Sequence, residues 1–205
     1  MRWRIDHLAV GAASLDEGTA FVEAALGVRL SPGGSHALMG THNRLLGLGD
    51  LYLEVIAIDP AAPPPGRPRW FRLDRFAGPP GLTNWIASVD DLDAALSAAP
   101  AGAGRATDMA RGDLRWRMGV PDDGNLPFDD AFPALIHWLG AAHPAGRLPD
   151  LGVRLRRLVL MHPQAAALRA ALGPVQDARL VVEAATVKGM RAEFETPQGQ
   201  RSLEG

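Results

Sequence analysis

Apolar and polar positions alternate in short runs, broken by longer stripes, in an order that recurs along the chain. Arg4 to Val10 alternates around Ile5, Leu8 and Val10 and predicts a strand. Ser14-Leu15-Asp16-Glu17 has the spacing of a capping box, in which Ser14 meets an orphan backbone N–H and Glu17 reaches back. Leu15, Ala20, Phe21, Val22, Ala25 and Leu26 then form the apolar stripe of a helix that Gly27 stops. Pro32-Gly33-Gly34 predicts a turn, and two extended stretches follow, from Leu38 to Leu48 and from Asp50 to Asp59. Within the second, Leu51 to Ile58 holds one acid, Glu54, among mostly apolar neighbours. The order of elements is β-α-β-β-β.

Residues 61–81, with Pro60 before them, are rich in proline and cannot build a central strand or helix. They predict a connector, with Trp70-Phe71 pinning it to the core or serving as a pocket lid. The pattern then returns. Leu82 to Val89 predicts a strand, Asp90-Asp91 an N-cap, and Leu92, Ala95 and Leu96 a short helix. Leu114, Trp116 and Met118 alternate with Arg115 and Arg117, and Phe132 to Leu139 is an apolar strand interrupted by His137. A fainter third round runs from Val153, with a helix entered at His162-Pro163 and strands at 178–185, 189–195 and 200–203. The repeat of roughly 75 residues is too long for a solenoid. The reading is α+β: module one at 1–60, the connector at 61–81, module two at 82–140, a second connector at 141–152 and module three at 153–205.

Composition mainly removes options. The 205 residues contain no Cys, which excludes disulfide scaffolds, thiolate metal sites and Cys nucleophiles. Basic and acidic residues number 21 and 23, so no global field steers the chain to nucleic acid or to an anionic membrane. No apolar run approaches the ~20 residues of a membrane span, and no signal-peptide core follows Met1, so a cytoplasmic setting is expected. Lys188 is the only lysine and Gly189-Met190 follow it, so a phosphate-binding loop of the Walker type is excluded. Neither a dinucleotide fingerprint nor a serine-hydrolase elbow is present.

The repeated order, opened by Ile5-Asp6-His7-Leu8-Ala9-Val10, resembles the vicinal oxygen chelate superfamily of glyoxalases, bleomycin-resistance proteins and extradiol dioxygenases, and within it the glyoxalase-like branch. The pieces that carry the resemblance include Gly33-Gly34-Ser35-His36, Gly40-Thr41-His42-Asn43, Tyr52 to Pro60, Arg69-Trp70-Phe71, Val89 to Ala95, Pro133 to Trp138 and His143-Pro144. The resemblance implies curved, mixed sheets in which two modules enclose a cup. In metal-dependent members the ligands come from the first and last strand of each module. Carried over by position, these places hold His7 and Glu54 in module one, and Asn84 and His137 in module two. Imidazole and carboxylate suit Zn, Ni, Mn or Fe. Asn84 departs from the pattern, because a neutral amide is a weak ligand.

The implied metal residues are therefore His7, Glu54 and His137, with Glu54 either ligand or catalytic base. His42, Asn84, Trp85, Trp116 and Trp138 are expected to line the substrate pocket, with His42-Asn43 reading alternatively as a turn cap. His7 beside Asp6 reads equally as a hydrogen-bonded core histidine, and His143-Pro144 and His162-Pro163 read as turn and helix-entry chemistry. Arg44, Arg115 or Arg117 would meet a substrate carboxylate if they face inward. The acidic stretch Asp122 to Asp130 lacks the spacing of an EF-hand loop and reads as a solvated turn. Two functions follow from the resemblance. One is a metal-dependent lyase, isomerase or dioxygenase acting on a vicinally oxygenated small molecule. The other is a metal-free protein that binds or sequesters a small molecule. Module three is expected to cover a sheet edge or to pair across a homodimer.

Overall fold

The computed structural model describes residues 2–205. The first strand, β1 (Trp3–Gly11), leads into α1 (Leu15–Leu26). Ser14 Oγ accepts the Glu17 N–H at 3.3 Å, and Gly27 ends the helix in the left-handed region at φ 69°. Three strands complete this unit: β2 (Ser31–His36), β3 (Thr41–Gly47) and β4 (Tyr52–Ile58). The Pro32-Gly33-Gly34 stretch is not a turn but part of β2, an outer strand with an irregular register against β3. An edge strand tolerates proline, and Gly33 is needed there, since a Cβ would meet Asn43 atoms at 2.2 Å.

The second unit repeats the order with β5 (Gly81–Val89), α2 (Leu92–Ala98), β6 (Arg105–Arg111), β7 (Leu114–Val120) and β8 (Ala134–Trp138). Asp91 caps α2 through the Ala94 N–H at 3.0 Å. Strand β6 carries Arg105, Asp108 and Arg111 and a single large apolar residue, Met109, so its sequence has no apolar alternation to betray it. Both units share one eight-stranded sheet, ordered β2-β3-β4-β1-β5-β8-β7-β6, with β1 and β5 antiparallel at its centre. Each first strand runs parallel to the last strand of its own unit. The sheet curls until the outer strands approach, and a side chain at Gly34 in β2 would collide with Arg111 of β6. The result is the expected α+β half-barrel with a cup.

Residues 153–205 supply β9 (Arg154–His162), α3 (Ala165–Ala171), β10 (Leu180–Ala184), β11 (Gly189–Thr196) and β12 (Gly199–Glu204). The order of elements is that of the other units, but the pairing differs. Here the first strand lies parallel to the second, and the separate sheet reads β10-β9-β11-β12. A half-cup needs the first strand beside the last, so this unit cannot form one. It packs on β5 and α1 rather than over an edge of the large sheet. There Leu155, Leu158, Leu160, Met190, Phe194 and Leu203 join Trp3, Leu8, Val22, Leu26 and Trp85 in the larger core. A smaller core fills the cup. No helix among the described residues is long and apolar enough to cross a membrane.

Candidate functional site

Strand alternation decides what enters the cup. On β4, Tyr52 and Glu54 point inward, and on β3 Asn43 does so. His7 of β1, His36 of β2 and Arg111 of β6 complete the polar wall, while Trp116, Met118, Ile136 and Trp138 form the apolar one. Trp70 and Phe71 reach in from the connector, stacked on each other with ring centres 5.4 Å apart. They leave a cavity of about 20 Å3, enough for a single water.

A chain of hydrogen bonds and charges runs along the polar wall. His7 Nδ1 donates to Asp6 Oδ1 at 2.6 Å, and its Nε2 lies 3.5 Å from Glu54 Oε1. Asp6 Oδ2 accepts from Trp138 Nε1 at 3.0 Å and from His143 Nε2 at 3.2 Å. Asn43 Nδ2 donates to Glu54 Oε2 at 2.7 Å, while its Oδ1 accepts from Gly34 N at 2.9 Å and Arg111 Nη1 at 3.1 Å. Tyr52 stacks on the His7 ring at 4.3 Å. His7 and Glu54 are each 4% exposed, so these charges are held almost out of water.

The electrostatics follow from that burial. Desolvation alone would lower His7, but its hydrogen bonds and the charges of Asp6 and Glu54 outweigh it and raise the imidazole to about 9. Burial would raise Glu54, yet the His7 hydrogen bond, the charges of His7 and His36 and the Asn43 amide bring it to about 2. Asp6 is likewise lowered, burial being overcome by hydrogen bonds from His143 and His7. His36 goes the other way, to about 4, through burial and the nearby Arg111 charge, against the pull of Glu54. At neutral pH the chain reads carboxylate, imidazolium, carboxylate, with a neutral His36 nearby.

Several expected site residues are elsewhere. His137 lies on the other face of β8 from Ile136 and Trp138, and its Nδ1 donates to Val89 O at 2.9 Å. One step along a strand reverses the face, so it cannot join His7 and Glu54 as a metal ligand. His42 alternates with Asn43 on β3 and is outside the cavity for the same reason. Trp85 is buried in the larger core with its indole N–H on Ala131 O at 3.0 Å. Asn84 faces a second cavity, described below. Arg117 pairs with Asp93 and Asp108 outside the cup, and Arg111 takes the inward place. Trp116 and Trp138 line the cavity as expected. Asp6, His36, Arg111 and His143 join the site unexpectedly, and of the His42-Asn43 pair it is Asn43 that enters the cup. The only signal in the sequence was the adjacency of Asp6 to His7 and of Asn43 to His42.

The pairing register identifies the module-two counterparts. His7 pairs with Ile86 and Ala9 with Asn84, so the central pair of strands relates His7 to Asn84 and Ala9 to Ile86. Glu54 lies beside Ala9, and Ala134 beside Ile86. The counterpart of Glu54 is therefore Ala134, not His137. Module two thus offers an amide and a methyl group where a metal would need donors, and the Arg111 cation lies beside the Glu54–Asn43 pair. No group of three His, Cys, Asp or Glu side chains able to hold a metal is present among the described residues. This donor set does not fit the expected Zn, Ni, Mn or Fe.

The profile of the glyoxalase-like domain matches residues 5–179. A hypothetical protein from Staphylococcus aureus is 13% identical with a TM-score of 0.61, over 92% of this chain and 88% of that one. That likeness shows the fold. The methylmalonyl-CoA epimerase of Streptomyces coelicolor, in complex with 2-nitronate-propionyl-CoA, is 18% identical with a TM-score of 0.44, over 68% of this chain and 96% of that one. The epimerase of Mycobacterium tuberculosis is 20% identical with a TM-score of 0.43, over 67% and 88%. No curated protein matches the chain.

Proposed function

The chain belongs to the glyoxalase-like domain family of the vicinal oxygen chelate superfamily, and from that premise we propose that it is a lyase or isomerase working by acid–base chemistry. Its substrate is a small molecule with a carbonyl beside an oxygenated carbon. The observation that carries the reading is the buried Asp6–His7–Glu54 chain on one wall of an aromatic cavity. Burying such ions costs several kcal/mol each before pairing, and oppositely shifted groups in a cavity are the mark of a working site.

In this reading the substrate displaces Trp70 and Phe71 from the cup. Its carbonyl oxygen takes a hydrogen bond from His7 Nε2, because Asp6 holds the Nδ1 proton. Glu54 removes the proton from the adjacent carbon as His7 protonates the oxygen. The two events reinforce each other. Once His7 gives up its charge, the main influence holding Glu54 low is gone, and burial then raises its basicity. Arg111 offers a further positive charge to the developing enolate oxygen. Return of the proton to a neighbouring atom completes an isomerisation, and loss of a neighbouring group completes an elimination.

The test is deuterium uptake beside the carbonyl, followed by NMR in D2O over a panel of α-hydroxy and α-keto acids and aldehydes. The wild type should promote exchange in at least one compound, and Glu54→Gln should lower that rate by about 10²–10⁴-fold while remaining folded. Exchange no faster than in buffer for the whole panel, or an undiminished rate in Glu54→Gln, would overturn the reading. Tryptophan quenching without exchange would favour a sequestering role instead.

A further inference from the structure

Beyond the cup, a second cavity of about 300 Å3 opens where the connector, β5 and the third unit meet. Its floor is unusual. Asn84 is 1% exposed, and neither its amide nitrogen nor its amide oxygen has a hydrogen-bond partner. A buried polar group left unpaired is costly, and apolar Leu82 and Ile86 stand two residues away on the same strand. Nothing in the fold requires an amide there.

The walls supply charge. Arg72 and Arg75 come from the connector, and the chain's one lysine, Lys188, comes from the third unit. Against them stands Asp130, whose Oδ2 is 3.4 Å from Arg72, and Gly205 adds backbone to the lining. Among the described residues, Arg75 and Lys188 make no ion pair. Burial lowers Lys188 and raises Asp130, as expected for charges whose partners are incomplete. The backbone is also held unusually here. Every left-handed non-glycine residue among the described residues lies in Phe71–Arg72 or Phe128–Asp130, and the two segments meet at the Arg72–Asp130 pair. Such conformations persist where the surroundings impose them, and ligand clamps are one such place.

We propose that this cavity is a binding site for a small anion, a carboxylate or a phosphate, held by Asn84, Lys188 and Arg75. The anion supplies acceptors for the Asn84 N–H groups and the two unpaired cations, and a hydroxyl on the same ligand would satisfy the Asn84 oxygen. The site is independent of the acid–base reading, since none of its three anchors lines the His7–Glu54 cavity. Phe71 is the wall common to both cavities, so an occupant here also bears on the Trp70–Phe71 stack.

Calorimetric titration of the intact protein at constant ionic strength, with inorganic phosphate in one arm and succinate in the other, tests the site. At least one anion should bind with a dissociation constant near or below about 1 mM. Lys188→Met should weaken it about tenfold or more. Asn84→Leu should abolish it while raising the midpoint of thermal unfolding, because an unpaired amide is replaced by an apolar group. Binding of phosphate alone assigns a phosphate ester, and binding of succinate alone a carboxylate. No heat with either anion up to about 10 mM, or binding unchanged in both variants, overturns the proposal. Glu54→Gln should bind the anion as the wild type does, whatever its effect on proton exchange.

Discussion

The two modules of the cup share a scaffold and differ in what they place on it. Module one lines its half with His7, His36, Asn43, Tyr52 and Glu54, most of them linked by hydrogen bonds. Module two answers with Trp116, Met118, Ile136 and Trp138, and with one charge, Arg111, which reaches in from its edge strand. At the paired positions the contrast is sharper: His7 faces Asn84 across the pseudo-symmetry, and Glu54 faces Ala134. Apart from Arg111, which bonds to Asn43 of module one, charge therefore accumulates on one side, and the other side supplies the dry wall that makes those charges interact strongly. A duplicated fold need not keep a duplicated site. One half can specialise in chemistry while the other specialises in excluding water.

The largest expected effect comes from forcing symmetry on the apolar half. Ala134→Glu places a carboxyl among Ile86, Met118 and Ile136 without a histidine beside it. Overpacking and an unpaired buried acid together should cost about 5 kcal/mol of stability, read by urea unfolding. Adding Asn84→His should return about 1–2 kcal/mol as a coupling in a double-mutant cycle. A neutral Ala134→Glu would mean that the two modules are not related by the register described. Slightly smaller is the effect of breaking the polar half. Asp6→Ala strands His7, His143 and the Trp138 N–H at once, and about 3–5 kcal/mol is expected for one partner lost from a buried ionic group. A loss under about 1 kcal/mol would show the chain to be energetically idle.

Much of the fold could be read from the residues, and the site only in part. Capping at Ser14 and Asp91 and the helix stop at Gly27 are local, so short spacing suffices to find them. His7 and Glu54 stood out as polar residues inside apolar strands. His137 stood out for the same reason and belongs to the opposite face, because a strand's polarity pattern does not say which face is the cup. Arg111 enters only through the curling that brings β2 to β6, which no local pattern reports. Strand β6 itself, at an edge and with Met109 as its one large apolar residue, has no periodicity to find. The third unit repeats an order of elements with a different pairing, and order in sequence carries no information about register.

The pH dependence should separate the two halves again, with an effect on the order of 3 kcal/mol. His7 is raised from its ordinary 6.5 to about 9, so its contribution is complete below 6.5 and lost as pH rises through 9. Glu54 is lowered from 4.5 to about 2, so its contribution is present above 4.5 and lost as pH falls toward 2. His36, lowered from 6.5 to about 4, disfavours the fold progressively as pH falls from 6.5. These slopes place the maximum near pH 6.5. Unfolding free energies at pH 6.5 and 9 should differ in the wild type and converge in His7→Gln, since module two holds no group that replaces the slope. Equal stabilities in the wild type would contradict the imidazolium.

The smallest expected effect concerns what the two modules do share. Ser14 and Asp91 occupy the same place, at the helix entry after each first strand, and each side chain accepts a backbone N–H three residues on, at 3.3 and 3.0 Å. Neither role depends on what the cup contains. Ser14→Ala and Asp91→Ala should therefore each cost about 1 kcal/mol, with the loss at Asp91 slightly the larger because its carboxylate also meets the positive end of the helix. Added salt should shrink the Asp91 effect and leave Ser14 unchanged, since only the carboxylate carries a charge to screen. The double variant should show simple additivity, because the caps belong to separate helices. A coupling above about 0.5 kcal/mol would mean that the helices communicate through the shared sheet, and that the division between a chemical half and a dry half is not confined to the cup.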